Sequence, residues 1–177
     1  GTVAAVISNR PDAKGLSTAS AAGIETKAID HKTYESRDSF DRALAAAIDS
    51  YRPDVLVLAG FMRILTEDFV AKFLGKMINV HPSLLPDYPG LNTHQRAIDN
   101  GDDEAGATVH YVTGELDGGP AILQGRVAIS EDDTAEALAA RILPTEHQML
   151  VTAVAWHLDG RLTHRDSGAF LDDSLLP

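Results

Sequence analysis

Apolar residues in this chain occur in short runs, and longer segments with helical periodicity separate those runs. Residues 3–8, 55–60 and 77–80 are almost wholly apolar, which is typical of strands buried on both faces of a parallel sheet. Residues 40–51 instead repeat apolar side chains every three to four positions, which predicts an amphipathic helix. This alternation predicts an α/β fold, with a doubly wound, mostly parallel sheet and helices on both faces.

Cap and turn residues predict the boundaries of these elements. Asp12 precedes an alanine-rich helix that ends near Gly23, and Thr66 precedes a helix that reaches residue 74. Residues 55–60 form the most apolar run, which favours the centre of the sheet. A long helical pattern begins after residue 132 and ends at residue 160, and Pro144 inside it predicts a kink or a break.

The length and the last residues suggest a simple organisation. A chain of 177 residues suits a single domain, spanning 1–177, with a sizeable core. Residues 162–177 are polar, with two adjacent aspartates near the end, so we expect a loose C-terminal tail.

Charge and composition exclude several classes of function. The chain has 15 Lys and Arg against 26 Asp and Glu, a net charge of −11, so it repels phosphate backbones and we expect no nucleic-acid partner. Cysteine is absent, which excludes disulfides, zinc-thiolate sites and a thiol nucleophile and is compatible with the cytoplasm. We expect no membrane span and no targeting leader, because no apolar run approaches the required length.

The most informative stretch is residues 77–90. Asn79 and His81 flank Val80, so on an extended strand their side chains point to the same face. Three prolines and Gly90 then end the strand and restrict the loop that leaves its carboxyl end. Open α/β sheets bind ligands at that end of their strands.

A carboxylate follows the next strand-like run, residues 107–112. Asp117 lies in a tight loop before two glycines and a proline. An amide, an imidazole and a carboxylate at neighbouring strand ends can form an acyl-transfer site without a nucleophilic side chain. The alternative is structural, because Asn79 and His81 at a strand end can simply satisfy backbone groups.

These motifs resemble the phosphoribosylglycinamide formyltransferase family, folate-dependent enzymes of de novo purine biosynthesis. The matching segments are Asn79-Val80-His81-Pro82-Ser83-Leu84-Leu85-Pro86, Tyr88-Pro89-Gly90-Leu91, Thr93-His94 and Glu115-Leu116-Asp117-Gly118-Gly119-Pro120. The resemblance extends from the first strand to about Arg161 and implies a Rossmann-like formyltransferase fold.

The resemblance implies transfer of a formyl group from 10-formyltetrahydrofolate to the amine of glycinamide ribonucleotide. Asn79 and a protonated His81 would stabilise the oxyanion of the tetrahedral intermediate. Asp117 would keep His81 charged and help to carry the proton from the amine to the leaving nitrogen. No metal is required.

The resemblance also implies two sets of binding residues. The folate-binding set is Arg63, Ile64, Leu65, Val70, Thr113 and Glu115. The substrate-binding set is Gly60, Met62, Pro82, Arg37 and Glu146. Residue type alone favours a solvated surface role for Arg37 and Glu146, and a structural, hydrogen-bonded role for His110. The position of His110, seven residues before Asp117, leaves a role near the site open.

Other functions remain open at this point. A formyltetrahydrofolate hydrolase would use the same three residues with water in place of the amine. Methionyl-tRNA formyltransferase shares them too, but it resembles this chain less around residues 82–91, and we do not expect its C-terminal tRNA-binding domain here. A metal site built from histidines and Asp117 lacks His-Glu-x-x-His spacing, and a serine hydrolase lacks Gly-x-Ser-x-Gly.

The N-terminus departs from the family pattern. Family members begin with a further strand and a Gly-, Ser- and Asn-rich turn that binds the substrate phosphate, and neither precedes Val3. The resemblance therefore implies an N-terminally incomplete domain and leaves a catalytically incomplete folate-binding fragment as an alternative. We expect a monomer or a homodimer.

Overall fold

A computed structural model of the protein describes residues 1–176, and the backbone divides into two compact units. The first unit comprises Gly1–Asp54 and Leu65–Lys72, and the second comprises Val55–Ile64 and the chain from Phe73 onward. Pro177, the last residue of the predicted tail, lies outside the described residues. The expected single domain stays a prediction, and each unit is described separately.

The first unit begins with a β-α-β arrangement. Strands β1 (Val6–Ser8) and β2 (Thr26–Ala28) pair in parallel, and helix α1 (Lys14–Ala21) connects them. Gly23 follows α1 in the left-handed conformation, as expected for a residue that ends a helix. The predicted cap is wrong, because the Asp12 carboxylate pairs with Arg10 and the helix has no side-chain cap.

Two further helices complete this unit. Helix α2 (Arg37–Tyr51) starts at a capping box formed by Ser36 and Ser39 and buries one apolar face. Helix α3 (Glu67–Lys72) starts where predicted, with the Phe69 amide 3.4 Å from Thr66 Oγ1. The buried Asp41 carboxylate accepts a hydrogen bond from the Thr66 amide at 2.7 Å, which fixes the start of α3 against α2.

The second unit is built on a four-stranded sheet. Its strands are β3 (Leu56–Leu58), β4 (Met77–His81), β5 (Glu104–Tyr111) and β6 (Ala121–Ala128), in that order. β3 pairs with β4 in parallel, whereas β4–β5 and β5–β6 are antiparallel. The predicted α/β class is confirmed.

The expected central place of the most apolar run is wrong for the described residues. β3 lies at the edge of its sheet, and Val57 in its middle is 43% exposed. The interior strands are β4 and β5, and β5 is buried from Ala105 to Tyr111. Apolar content predicts burial of side chains but does not determine the order of strands.

Helix α4 (Thr93–Asn100) lies between β4 and β5 in the sequence, and helix α5 (Ala135–Leu158) follows β6. Thr134 caps α5 by accepting a hydrogen bond from the Ala137 amide. Of the kink or break predicted at Pro144, the break is wrong, because α5 continues through this residue, and the kink stays a prediction. Leu138, Ile142 and other buried side chains hold the helix against the core on both sides of Pro144, so packing maintains the helix where local propensity is unfavourable.

The predicted loose tail is also wrong for the described residues. After α5 the chain forms a three-stranded antiparallel sheet of β7 (Leu162–Arg165), β8 (Gly168–Leu171) and β9 (Ser174–Leu175). Leu162 and Ala169 are each 1% exposed and belong to the main core cluster. A few apolar residues therefore suffice to fix this polar segment onto the core.

No helix among residues 1–176 is both long and apolar enough to cross a membrane.

Candidate active site

Asn79 and His110 meet across the β4–β5 pair. They are register partners, so their side chains lie on the same face of the sheet, with Asn79 Nδ2 3.1 Å from His110 Nε2. His110 Nδ1 lies 2.8 Å from the Tyr111 carbonyl, which can only accept, so Nδ1 carries the proton. His110 Nε2 therefore accepts from the Asn79 amide, which leaves the second amide hydrogen to bind another oxygen.

His110 is suited to this role because it stays neutral. Burial lowers the pKa of its imidazole, and the positive charge of His81 acts in the same direction. The Tyr111 carbonyl and the Asp117 carboxylate oppose this effect and are outweighed. A neutral ring in one tautomer gives Asn79 a fixed acceptor.

His81, at the end of β4, faces an acceptor at each ring nitrogen. Nε2 lies 2.9 Å from the Tyr88 carbonyl, and Nδ1 lies 3.4 Å from Asp117 Oδ2. The residue is only 5% exposed. A protonated imidazole suits both partners, because Nε2 then donates to the Tyr88 carbonyl and the positive ring pairs with the Asp117 carboxylate.

Asp117 approaches His81 from the loop that connects β5 to β6. Its backbone is left-handed (φ 51°), a conformation that aspartate tolerates better than most residues. Oδ2 accepts a hydrogen bond from the Gly90 amide at 2.9 Å, and Oδ1 lies 4.0 Å from His110 Nε2. The carboxylate thus lies between two imidazoles, and its side chain is 11% exposed.

Close packing of a glycine keeps this loop against the end of β5. A Cβ atom on Gly119 would lie 1.8 Å from the Tyr111 carbonyl oxygen, far inside van der Waals contact. Only glycine therefore permits this approach.

The three predicted catalytic residues, Asn79, His81 and Asp117, are thus brought together in the second unit. This unit also contains other predicted site residues, namely Gly60, Met62, Arg63, Ile64, Pro82, Thr113, Glu115 and Glu146. Arg37, Leu65 and Val70 belong to the first unit, where Val70 is buried in α3. The binding roles of all these residues stay predictions.

Glu146 lies on α5 and is partly buried. Burial raises the pKa of its carboxyl group, and the positive charges of His147 and His81 partly oppose that effect. Its electrostatic interaction with His81 distinguishes it from a fully solvated glutamate.

Sequence reasoning missed two main-chain contacts of the site. The Tyr88 carbonyl binds His81, and the Gly90 amide binds Asp117. No residue type reveals a main-chain contact, although the density of prolines and glycine around these positions indicates a loop of fixed shape. The role of His110 was foreseen only as a hydrogen-bonded residue near the site.

Among residues 1–176, no group of three or more His, Cys, Asp or Glu side chains is arranged to hold a metal ion.

Comparison with known proteins identifies the family. The family model described as formyl transferase matches residues 1–154. Phosphoribosylglycinamide formyltransferase of Escherichia coli strain K12 is 49% identical over 177 residues, covering 100% of this chain and 84% of that protein. The enzyme of that name from Haemophilus influenzae is 44% identical over 175 residues, covering 99% and 82%.

A solved structure shows the same fold. Phosphoribosylglycinamide formyltransferase from Coxiella burnetii superposes with a TM-score of 0.95 at 47% identity, over 99% of this chain and 83% of that one. Since the family model matches most of the chain and the relatives resemble it along its length, this protein belongs to the formyl transferase family.

Proposed function

We propose that this protein transfers the formyl group of 10-formyltetrahydrofolate to the primary amine of glycinamide ribonucleotide, in purine biosynthesis. The observation that supports it best is the assembly of Asn79, His81 and Asp117 at one end of β4, in a chain whose relatives bear this enzyme's name. The formyl transferase family itself implies a folate-derived formyl donor.

In this proposal the amine attacks the formyl carbon directly. A new C–N bond forms, the carbonyl oxygen becomes an oxyanion, and collapse of the tetrahedral centre breaks the bond to N10 of the folate. One proton must move from the attacking nitrogen to N10. Asp117 Oδ1 is the oxygen available for this transfer, because Oδ2 is already bound to the Gly90 amide and faces His81.

The oxyanion is stabilised by two different means. One hydrogen of the Asn79 side-chain amide is donated to His110, and the other hydrogen is donated to the oxyanion. His81 supplies positive charge at short range in a buried site, where charge interactions are strong. A direct hydrogen bond from His81, as the resemblance implied, requires release of the Tyr88 carbonyl or of Asp117.

The binding residues follow the resemblance. Arg63 would bind the folate carboxylate, and Ile64, Leu65 and Val70 would contact its ring, with Thr113 and Glu115 on the loop of Asp117. The exposure of Ile64 (62%) supports such a role, because a large apolar side chain is then available to a flat ligand. Gly60, Met62, Pro82, Arg37 and Glu146 would bind the nucleotide, Glu146 through its ribose.

The first test is the deformylation rate of 10-formyltetrahydrofolate with and without glycinamide ribonucleotide. A rate that requires the amine supports the transferase. Consumption of the folate at the same rate without it indicates a hydrolase and contradicts the proposal, as does no turnover at all.

The site assignment is tested by Asp117→Asn, which keeps the shape of the side chain and removes its basicity. We expect transfer to fall about 10²–10⁴-fold with the fold intact, as for loss of a general base. Asp172→Asn is the matched control, since Asp172 pairs with Arg161 at the surface of the second unit. Near-normal turnover of Asp117→Asn would refute the assignment.

A further inference from the structure

Residues 88–90 hold two of the catalytic side chains through their main chain. The Tyr88 carbonyl lies 2.9 Å from His81 Nε2, and the Gly90 amide donates to Asp117 Oδ2 at 2.9 Å. The orientation of both catalytic groups therefore depends on whatever fixes these three residues.

The backbone of Tyr88 does not hold this conformation by itself. Its φ of 55° is in the left-handed region, which a tyrosine adopts only when the surroundings compensate for the steric cost. The compensating contacts must come from its side chain or from neighbouring residues.

Asp102 accepts a hydrogen bond from the Tyr88 side chain. The Tyr88 hydroxyl donates to Asp102 Oδ2 at 2.6 Å, and the Asn100 amide donates to Oδ1 of the same carboxylate at 2.6 Å. Hydrogen bonds to a carboxylate are short and strong. The Tyr88–Asp102 bond raises the pKa of Tyr88 and lowers that of Asp102.

Arg96 of α4 also contacts residues 88–90. Its guanidinium lies over the Tyr88 ring, 5.1 Å from the centroid, and donates to the Pro89 carbonyl at 2.7 Å. Asp102 lies two residues before β5, so the side-chain contact anchors the segment to the sheet that contains His110.

We propose that Tyr88 and Asp102 are positioning residues, whose hydrogen bond fixes the main-chain carbonyl that orients His81. Loss of this bond frees Tyr88 to leave its left-handed conformation and withdraws an acceptor from the protonated ring. The inference rests on the proposed function only for its kinetic consequence, because the orientation of His81 can be measured without substrate.

The variants are Tyr88→Phe, which removes the hydroxyl alone, and Asp102→Ala, which removes the acceptor. Asp102→Asn keeps an oxygen that accepts from Tyr88 and is the conservative rescue. Tyr51→Phe is the matched control, because Tyr51 donates to Glu25 at the same 2.6 Å in the first unit.

The readout is ¹H–¹⁵N NMR of the His81 ring in the full chain, with the parent and the variants recorded at the same pH. We expect the Nε2–H proton resonance of His81 in Tyr88→Phe and Asp102→Ala to move upfield from its position in the parent, because the hydrogen bond to the Tyr88 carbonyl weakens. The other titratable groups that interact with His81, namely Asp117, His94, His110 and Glu146, are unaltered in these variants. Asp102→Asn and Tyr51→Phe should leave this resonance at its parent position.

The kinetic readout is kcat for formyl transfer, which should fall about tenfold in Tyr88→Phe with KM within about twofold, because the effect is on orientation of a catalytic group. An Nε2–H resonance of His81 that stays at its parent position in both Tyr88→Phe and Asp102→Ala would overturn the proposal. So would an equal shift in Tyr51→Phe. A parent without transferase activity would refute the proposed function, while the NMR result would still decide whether Tyr88 and Asp102 position His81.

Discussion

At the scale of single residues, the site depends on a histidine that never needs to ionise. His110 is 2% exposed, and its tautomer is fixed by the Tyr111 carbonyl, so its other nitrogen is a permanent acceptor for Asn79. The same burial that makes it a dependable acceptor makes protonation unfavourable. Burial of His110 therefore explains both its role as a hydrogen-bond acceptor and its effect on the pH dependence of stability.

The stability of the protein should consequently fall on the acid side of neutrality. The pKa of His110 is lowered in the folded chain, while the unfolded value is about 6.5, so the unfolded state binds more protons between these two values. The free energy of unfolding is then fully retained above about pH 6.5 and decreases as the pH falls towards the folded pKa, by up to about 1.4 kcal/mol per pH unit.

Urea unfolding of the parent and of His110→Gln at several values between pH 5 and pH 7.5 measures this effect. Glutamine cannot take up a proton and keeps an acceptor for Asn79, so we expect a shallower pH dependence. His147→Gln, an exposed position on α5, is the control and should follow the parent. Equal slopes in His110→Gln and the parent would contradict this prediction.

The proximity of the three proposed catalytic residues could be predicted from sequence because their types and their motif spacing are chemically specific. Asn79, His81 and Asp117 were selected in this way, and the structure brings them together. The partners that orient them could not be predicted fully, because the Tyr88 carbonyl and the Gly90 amide belong to the main chain and are available at almost any residue. The sequence pattern therefore indicates which side chains are candidates for catalysis. The structure is needed to show which main-chain groups orient those side chains.

At the scale of elements, the loop between β5 and β6 is positioned by backbone contact rather than by side chains. Gly119→Ala would place a Cβ atom 1.8 Å from the Tyr111 carbonyl oxygen and force the loop away from β5. We expect formyl transfer to fall about 100-fold, because displacing Asp117 by about 1 Å costs roughly that much.

Gly114→Ala is the matched control in the same loop, since a Cβ atom there meets nothing within 4 Å. Its transfer rate should remain within about twofold of the parent. Thermal unfolding of both variants separates loss of positioning from loss of fold. If Gly119→Ala turned over as fast as Gly114→Ala, the contact with Tyr111 would not be what positions Asp117.

Elements were predicted well where periodicity was strong and poorly where tertiary packing determined the outcome. The helix of residues 40–51 was predicted from its apolar spacing, and α2 buries that face. The break at Pro144 and the loose tail were wrong, because buried side chains such as Ile142 and Leu162 stabilise structure that local sequence does not favour. Propensity is a local property, and it yields to burial against a core.

At the scale of the whole molecule, net charge constrains which formyl acceptor the protein can use. The net charge of −11 gives a long-range repulsion for polyanions, whereas a single phosphate can still be bound by a local cation. We therefore expect a small nucleotide, rather than a tRNA, to bind this surface.

Formylation of methionyl-tRNA should consequently be absent under conditions in which glycinamide ribonucleotide is formylated. Proteins that neutralise phosphates with Lys and Arg bind nucleic acid more tightly as salt is lowered, because counterions are released. An acidic surface releases no counterions, so we expect no detectable tRNA binding between about 50 and 200 mM salt, a range over which a basic nucleic-acid-binding protein changes affinity about 10³–10⁵-fold.

Filter binding of tRNA across that salt range, with formyl transfer to each acceptor measured in parallel, tests this prediction. Salt-dependent retention of tRNA would show a local basic surface strong enough to overcome the net charge, and tRNA would then have to be considered as the acceptor.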